Sequence, residues 1–263
     1  MTTIITFFVV IFILIYLIIN KHHSSIYLYN KPQAIVQFNK LLTSPVTRGY
    51  FESLNECELK IRKIPQTSTN AAIYKQNFQN FNIIEKKILN NTILNIIRFL
   101  PNNINRILKT GEWKFIKTNN HVEGGMPFTL GDIIFIPQGL LTKMLLYYKS
   151  NNIEGLKKDI ISTLIHEKIH VAQRDSSTND KFCKLYQKWH FTRSPKSHND
   201  NSNNQTSCIR NNPDIYTSEE DIGNPYWLWK EQLSLYPQLD KNSDRLSGVK
   251  VIANNNKLYD EYK

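Results

Sequence analysis

The chain has 263 residues, a formal net charge of +11 and 41% hydrophobic residues. The roughly 240 residues that follow its first apolar stretch suffice for one mixed domain with a core of its own, without disulfide staples, and no repeat of the usual periods is present. Three cysteines (Cys57, Cys183, Cys208) cannot all pair within one chain, which suits a reducing compartment.

In chain order, Ile4 to Ile19 is apolar apart from Thr6 and the Tyr16 hydroxyl. Sixteen helical residues cover about 24 Å against a hydrocarbon core of ~30 Å, so Thr2 and Thr3 or local thinning must supply the rest. No basic residue precedes the run and Asn20-Lys21-His22-His23 follows it, which argues for an uncleaved anchor over a signal peptide. Lys21, Lys31, Lys40 and Arg48 all lie on its C-terminal side, so a single-pass protein with its domain on the cytoplasmic side of a membrane is expected. The expected organisation is an anchor over 1–20, a tether over 21–47 with a short helix around Ala34 to Leu42, and one domain over 48–263.

Within that domain Glu58 to Ile64 alternates like a strand, and Ile83 to Leu100 has helical periodicity. Trp113 to Thr118 and Asp132 to Pro137 read as strands, Leu140 to Lys149 and Phe182 to Trp189 as helices. The polar run Ser197 to Gln205 reads as a surface loop, and Tyr226 to Trp229 as a strand. The mixture predicts an α+β fold with a small mixed sheet.

Ile160, Ile161, Leu164 and Ile165, then Ile169, Val171 and Ala172, give the apolar spacing of a helix running from about Ile153 to Arg174 and buried over much of its circumference. It carries His166-Glu167-Lys168-Ile169-His170, an HExxH motif. Residues four apart share a helix face, so His166 and His170 can offer two imidazole nitrogens to one Zn²⁺, while Glu167 is offset to act on water as general base. The alternative is a polar stripe of satisfied core histidines.

The motif, with Leu164-Ile165 before it and Val171-Ala172-Gln173-Arg174 after it, resembles the active-site helix of the zincin metallopeptidases. The resemblance spans about residues 80 to 235 and implies a zincin-like fold, a peptide or protein substrate, and zinc held by His166 and His170. It also implies that Gly124 to Thr129 lies where that fold places an edge strand over the cleft, pairing with substrate. With the anchor, Asn212-Pro213-Asp214 and Trp227-Leu228-Trp229 added, the chain is similar to metallopeptidase-like proteins of large DNA viruses.

A third ligand is required. Val171 to Trp189 contains neither Gly nor His, which excludes the metzincin extension. Glu219 and Glu220 are the nearest carboxylates, although Gly223-Asn224-Pro225 stops a helix there and the cluster equally reads as a solvated cap. His190 and His198 are further candidates. The resemblance also allows the third ligand to lie beyond Lys263, which would leave a catalytically inactive zincin scaffold in the membrane. Tyr216, Tyr226, His190 and Arg174 are candidate donors to an oxyanion.

The positive charge invites a nucleic-acid reading, with clusters at Lys60, Arg62 and Lys63, from Lys109 to Lys117, and from Lys181 to Lys196. None forms a binding fingerprint, and the joint richness in Asn, Ile and Lys of an AT-biased sequence accounts for the charge, so no nucleic-acid partner is expected. A secondary attraction to anionic lipid headgroups beside the anchor is compatible with it.

Overall fold

The computed structural model describes residues 25–54, 59, 70–101, 108 and 112–188, and the backbone of 191–193, 227–229 and 232–234. The Ile4–Ile19 run lies outside these residues, and among them no helix is long and apolar enough to cross a membrane.

The fold is α+β around a five-stranded mixed sheet. Strand β1 (Ile26–Tyr29) leads into α1 (Lys31–Leu41), α2 (Pro45–Ser53), α3 (Asn70–Gln76), the short β2 (Phe78–Gln79) and α4 (Ile83–Phe99). Then come β3 (Trp113–Thr118), β4 (Phe128–Leu130), β5 (Ile133–Pro137) and α5 (Gln138–Lys149). The order across the sheet is β1-β3-β5-β4, with β1 and β5 parallel to β3 and β4 antiparallel to β5. β2 pairs with the last two residues of β3, beyond the stretch that β1 occupies. Every residue of β5 is buried, as a strand covered on both faces requires.

Alternation along the strands separates two cores. Ile116, Phe128, Leu130, Ile133 and Phe135 pack on one face with Ala34 and Phe38 of α1, Tyr50 and Phe51 of α2, and Tyr74 of α3. Trp113, Phe115, Ile134 and Ile136 point the other way, to Leu89, Ile93 and Ile96 of α4, Leu141 and Met144 of α5, and the helix that follows.

That helix is continuous from Ile153 to Arg174 but not uniform. A turn at Ile153–Gly155 (α6) passes into a π-helical segment, Leu156–Ile161, and then into α7 (Ser162–Arg174). The π segment is fastened to α5 through Asp159, whose carboxylate accepts from Lys143 Nζ at 2.6 Å and from the Tyr147 hydroxyl. A π segment carries an extra residue per turn and so shifts the register of the helix beyond it, here the helix that bears the HExxH motif. Helix α8 (Ser176–Lys188) packs on α7, and β6 (Phe191–Arg193), β7 (Trp227–Trp229) and β8 (Gln232–Ser234) form a separate antiparallel sheet.

Several expectations need revision. Residues 26–47, expected in a tether, belong to the fold from Ile26 onward: β1 pairs with β3, and Ala34 and Phe38 are fully buried. The helix expected at Ala34 to Leu42 begins earlier, because Asn30 and Gln33 form a capping box with Pro32 inside the first turn. Leu59, the described residue of the Glu58 to Ile64 stretch, is helical and buried rather than extended. The Ser197 to Gln205 loop lies outside the described residues.

A second capping box, Asn82 with Glu85, starts α4 and has a further role. Lys117 of β3 reaches it, with Nζ 3.0 and 2.9 Å from the two Glu85 carboxylate oxygens, while Gln138 of α5 donates at 3.2 Å. Burial alone would push the Glu85 carboxyl up, but the hydrogen bonds from Lys117, the Asn82 backbone and Gln138 outweigh it and hold the pKa below its ordinary value. Its contribution is therefore present above the unfolded pKa near 4.5 and is lost as pH falls through the depressed value. Lys117→Met, which strands a buried carboxylate, is expected to destabilise the fold by about 3–5 kcal/mol in urea unfolding at neutral pH, with a smaller loss in acid once Glu85 is protonated.

Candidate metal centre

The roll of α7 about its axis is set by a stripe at Leu164, Lys168 and Val171 that turns toward the sheet, with Ala172 beside it. Lys168 is an unusual member, because its side chain is fully buried in the middle of this stripe. Its ammonium donates to the Glu112 carbonyl at 3.0 Å and lies 5.4 Å from the centroid of the Trp113 ring. A cation over an indole face retains part of the stabilisation that burial removes. Burial nevertheless lowers the Lys168 pKa to about 8.

With that stripe inward, the two histidines fall at the rim. His166 is exposed and His170 is 8% exposed. Their rings meet edge to face with centroids 4.5 Å apart, and the two Nε2 atoms face each other at 3.0 Å. His170 Nδ1–H donates to Gln173 Oε1 at 2.6 Å, and Gln173 in turn donates to the Tyr186 hydroxyl of α8. Since an amide oxygen only accepts, this chain places the proton of a neutral His170 on Nδ1 and leaves the Nε2 lone pair turned toward His166.

Two nitrogens 3.0 Å apart subtend about 95° at an ion bound through Zn–N distances of ~2.0–2.1 Å, a little inside the tetrahedral angle. Borderline-soft imidazole donors with one ring nitrogen anchored by a neighbour are the donor set zinc uses. The pair thus fits two of the three protein ligands of a catalytic zinc site. Among the described residues no group of three His, Cys, Asp or Glu converges on one point. The candidates for the third position, Glu219, Glu220, His190 and His198, lie outside the described residues, as do Tyr216 and Tyr226.

Glu167 lies between the buried stripe and the histidine rim and is 3% exposed. Its carboxylate accepts from the Thr129 hydroxyl at 2.7 Å. Thr129 is the central residue of β4, an edge strand of the sheet, and its side chain points opposite to Phe128 and Leu130, which enter the other core. The segment expected to form an edge strand does so only from Phe128. Ahead of it, Glu123–Gly125 makes a 3-10 turn in which three successive residues are left-handed, with φ of 48°, 63° and 75°. Glu123 is the costly one, since a side chain disfavours that conformation. Its fully buried carboxylate accepts hydrogen bonds from Tyr50 of α2, at 2.5 Å, and from Tyr74 of α3. The β4–β5 hairpin then turns through Gly131 (φ 56°), where a Cβ would stand 2.6 Å from Leu41.

Arg174 lines an open cleft with Glu112, Lys114, Gly131, Asp132, Val171 and Asp175 and donates to its own helix at the His170 carbonyl, 3.4 Å away. Cys183, on α8, has Sγ 3.6 Å from Asn179 Oδ1, as an ordinary helix position does. Gln173 and Tyr186 had no individual signal beyond spacing: three residues after a helical histidine is a position that can reach its ring.

Comparison of the chain with protein-family models, with curated proteins and with solved structures returns no match.

The depressed Lys168 pKa carries a sign. Between pH about 8 and 10.5 the unfolded chain holds a proton at this position that the folded chain has released, so stability gained from this group rises across that interval. Urea midpoints measured from pH 7 to 10.5 are expected to show the rise in wild type relative to Lys168→Met, and the difference between the two curves should be flat below pH 7.

Proposed function

We propose that the protein is a membrane-anchored zinc-dependent peptidase with a zincin-like domain, single-pass and facing the cytoplasmic side through its Ile4–Ile19 anchor. The reading is carried by one observation: the His166 and His170 Nε2 atoms face each other at 3.0 Å, in the same helical turn as a buried Glu167 that a strand-borne hydroxyl holds in place. The position of β4 adds support, because an antiparallel edge strand beside the motif helix is where the zincin resemblance puts the strand that pairs with a peptide.

His166 and His170 would hold the metal through Nε2, with Gln173 fixing the orientation of His170. When bound, zinc supplies Lewis acidity that activates water near neutral pH. Glu167 takes the proton from the attacking water at a carboxylate oxygen and passes it to the amide nitrogen as the C–N bond breaks. Thr129 donates to that carboxylate and so restricts the rotamer of Glu167. The anionic oxygen formed at the scissile carbonyl needs a donor of its own.

The test uses the full chain in detergent. Glu167→Gln is expected to retain zinc, read by elemental analysis, and to lose roughly 10²–10⁴-fold in cleavage of a peptide library. His170→Ala should lose both zinc and cleavage. Unchanged cleavage by Glu167→Gln defeats the mechanism, and a wild-type chain that holds no zinc and cleaves nothing is instead an inactive zincin scaffold. Gln173→Ala should weaken zinc binding by about 10–100-fold in a chelator competition, since the partner that orients His170 is gone.

A further inference from the structure

Helix α4 buries Glu85, Leu89, Thr92, Ile93 and Ile96 and turns a very different face outward. Ile83 is 85% exposed, Ile84 60%, Leu94 53% and Phe99 76%. Lys86, Lys87 and Arg98 are exposed among them. The one acidic residue of the helix, Glu85, is turned in and neutralised by Lys117. The outward face of a 17-residue helix therefore carries four large apolar side chains and three cations with no anion. Scattered exposed leucines are ordinary, but this many on one helix marks a surface that something covers.

Charge and chain length together select the occupant. An apolar face interspersed with Lys and Arg fits the boundary between acyl chains and anionic headgroups, where the stems bury and the cations meet phosphate. Six residues, 20–25, separate the apolar run from β1, and fully extended they span at most about 22 Å. The domain is thus held close to whatever membrane the run enters. β1 packs Ile26 and Leu28 against the core that receives the buried side of α4, so this helix covers one of the two faces of the strand through which the chain enters the sheet.

We propose that the outward face of α4 rests on the anionic leaflet of the membrane, as a second attachment that sets the orientation of the domain. It uses the anchor of the preceding reading and none of its zinc chemistry.

The experiment takes the full chain with Cys57, Cys183 and Cys208 changed to Ser and a fluorescent label on Leu94→Cys or on Val36→Cys. Val36 is 64% exposed on α1, which packs on the other face of the sheet. In phosphatidylcholine–phosphatidylserine vesicles containing nitroxide-labelled lipid, quenching at 94 should be severalfold stronger than at 36. Replacing Lys86, Lys87 and Arg98 by Gln, or omitting phosphatidylserine, should bring 94 down toward 36. Equal quenching at both positions in a chain that still floats with the vesicles overturns the proposal while leaving the anchor intact. Failure to float defeats the anchor, and the α4 attachment with it. Self-quenching of the label at 94 that grows with protein density, without lipid quenching, assigns the face to a second copy and also overturns it.

Discussion

A rotation of α7 by one residue, about 100°, would carry Glu167 away from Thr129 and turn His166 toward the sheet. The structure depends on preventing that rotation. Leu164 and Val171 alone would set it only loosely, because a helix of aliphatic residues can roll on an aliphatic sheet at modest cost. The buried Lys168 is more exacting. A carbonyl acceptor and an indole face at fixed places admit the ammonium in one orientation, and an ammonium buried without them would be far more costly than a misplaced methylene.

The same helix is also held from its flank. β4 meets Glu167 through Thr129, and the turn ahead of β4 is held from the opposite layer by Tyr50 and Tyr74 on Glu123. Two buried carboxylates thus mark the two ends of one short path, Glu123 to β4 to Glu167, running from one core to the other. Helices α2 and α3 pack in the core on the other face of the sheet, yet both constrain the strand that meets Glu167. The left-handed backbone at Glu123 persists because partners on two helices over-determine it.

Much of this was legible in the residues themselves. Trp113 to Thr118 and Ile133 to Pro137 are strands because β-branched and aromatic residues crowd short runs between turn signals, and the 153–174 helix follows from its apolar spacing. The histidine pair follows from helical geometry alone. What the order of residues hides is tertiary satisfaction. A lysine between two catalytic-type residues reads as solvent-facing, and nothing local reveals that Glu112 and Trp113 wait for it. Glu123 reads as a loop carboxylate, since its partners are 49 and 73 residues away. The tether failed for a related reason: Ile26 to Tyr29 is too short to announce a strand until a partner far along the chain is known.

That distant pairing shapes how the molecule can assemble. β3, β4 and β5 are contained within residues 113–137 and can associate as a local unit, whereas β1 must wait for a partner about ninety residues downstream. Closing a loop of that length costs about 1.5 kcal/mol more than closing one of fifteen residues. During synthesis β1 leaves the ribosome well before Trp113 exists, with its ladder of amide and carbonyl groups unmatched, directly behind the apolar run Ile4 to Ile19. Translation speed through the intervening helices therefore determines how long an adhesive ribbon stays open, and a chaperone that shields it would act on nascent chains rather than on finished ones.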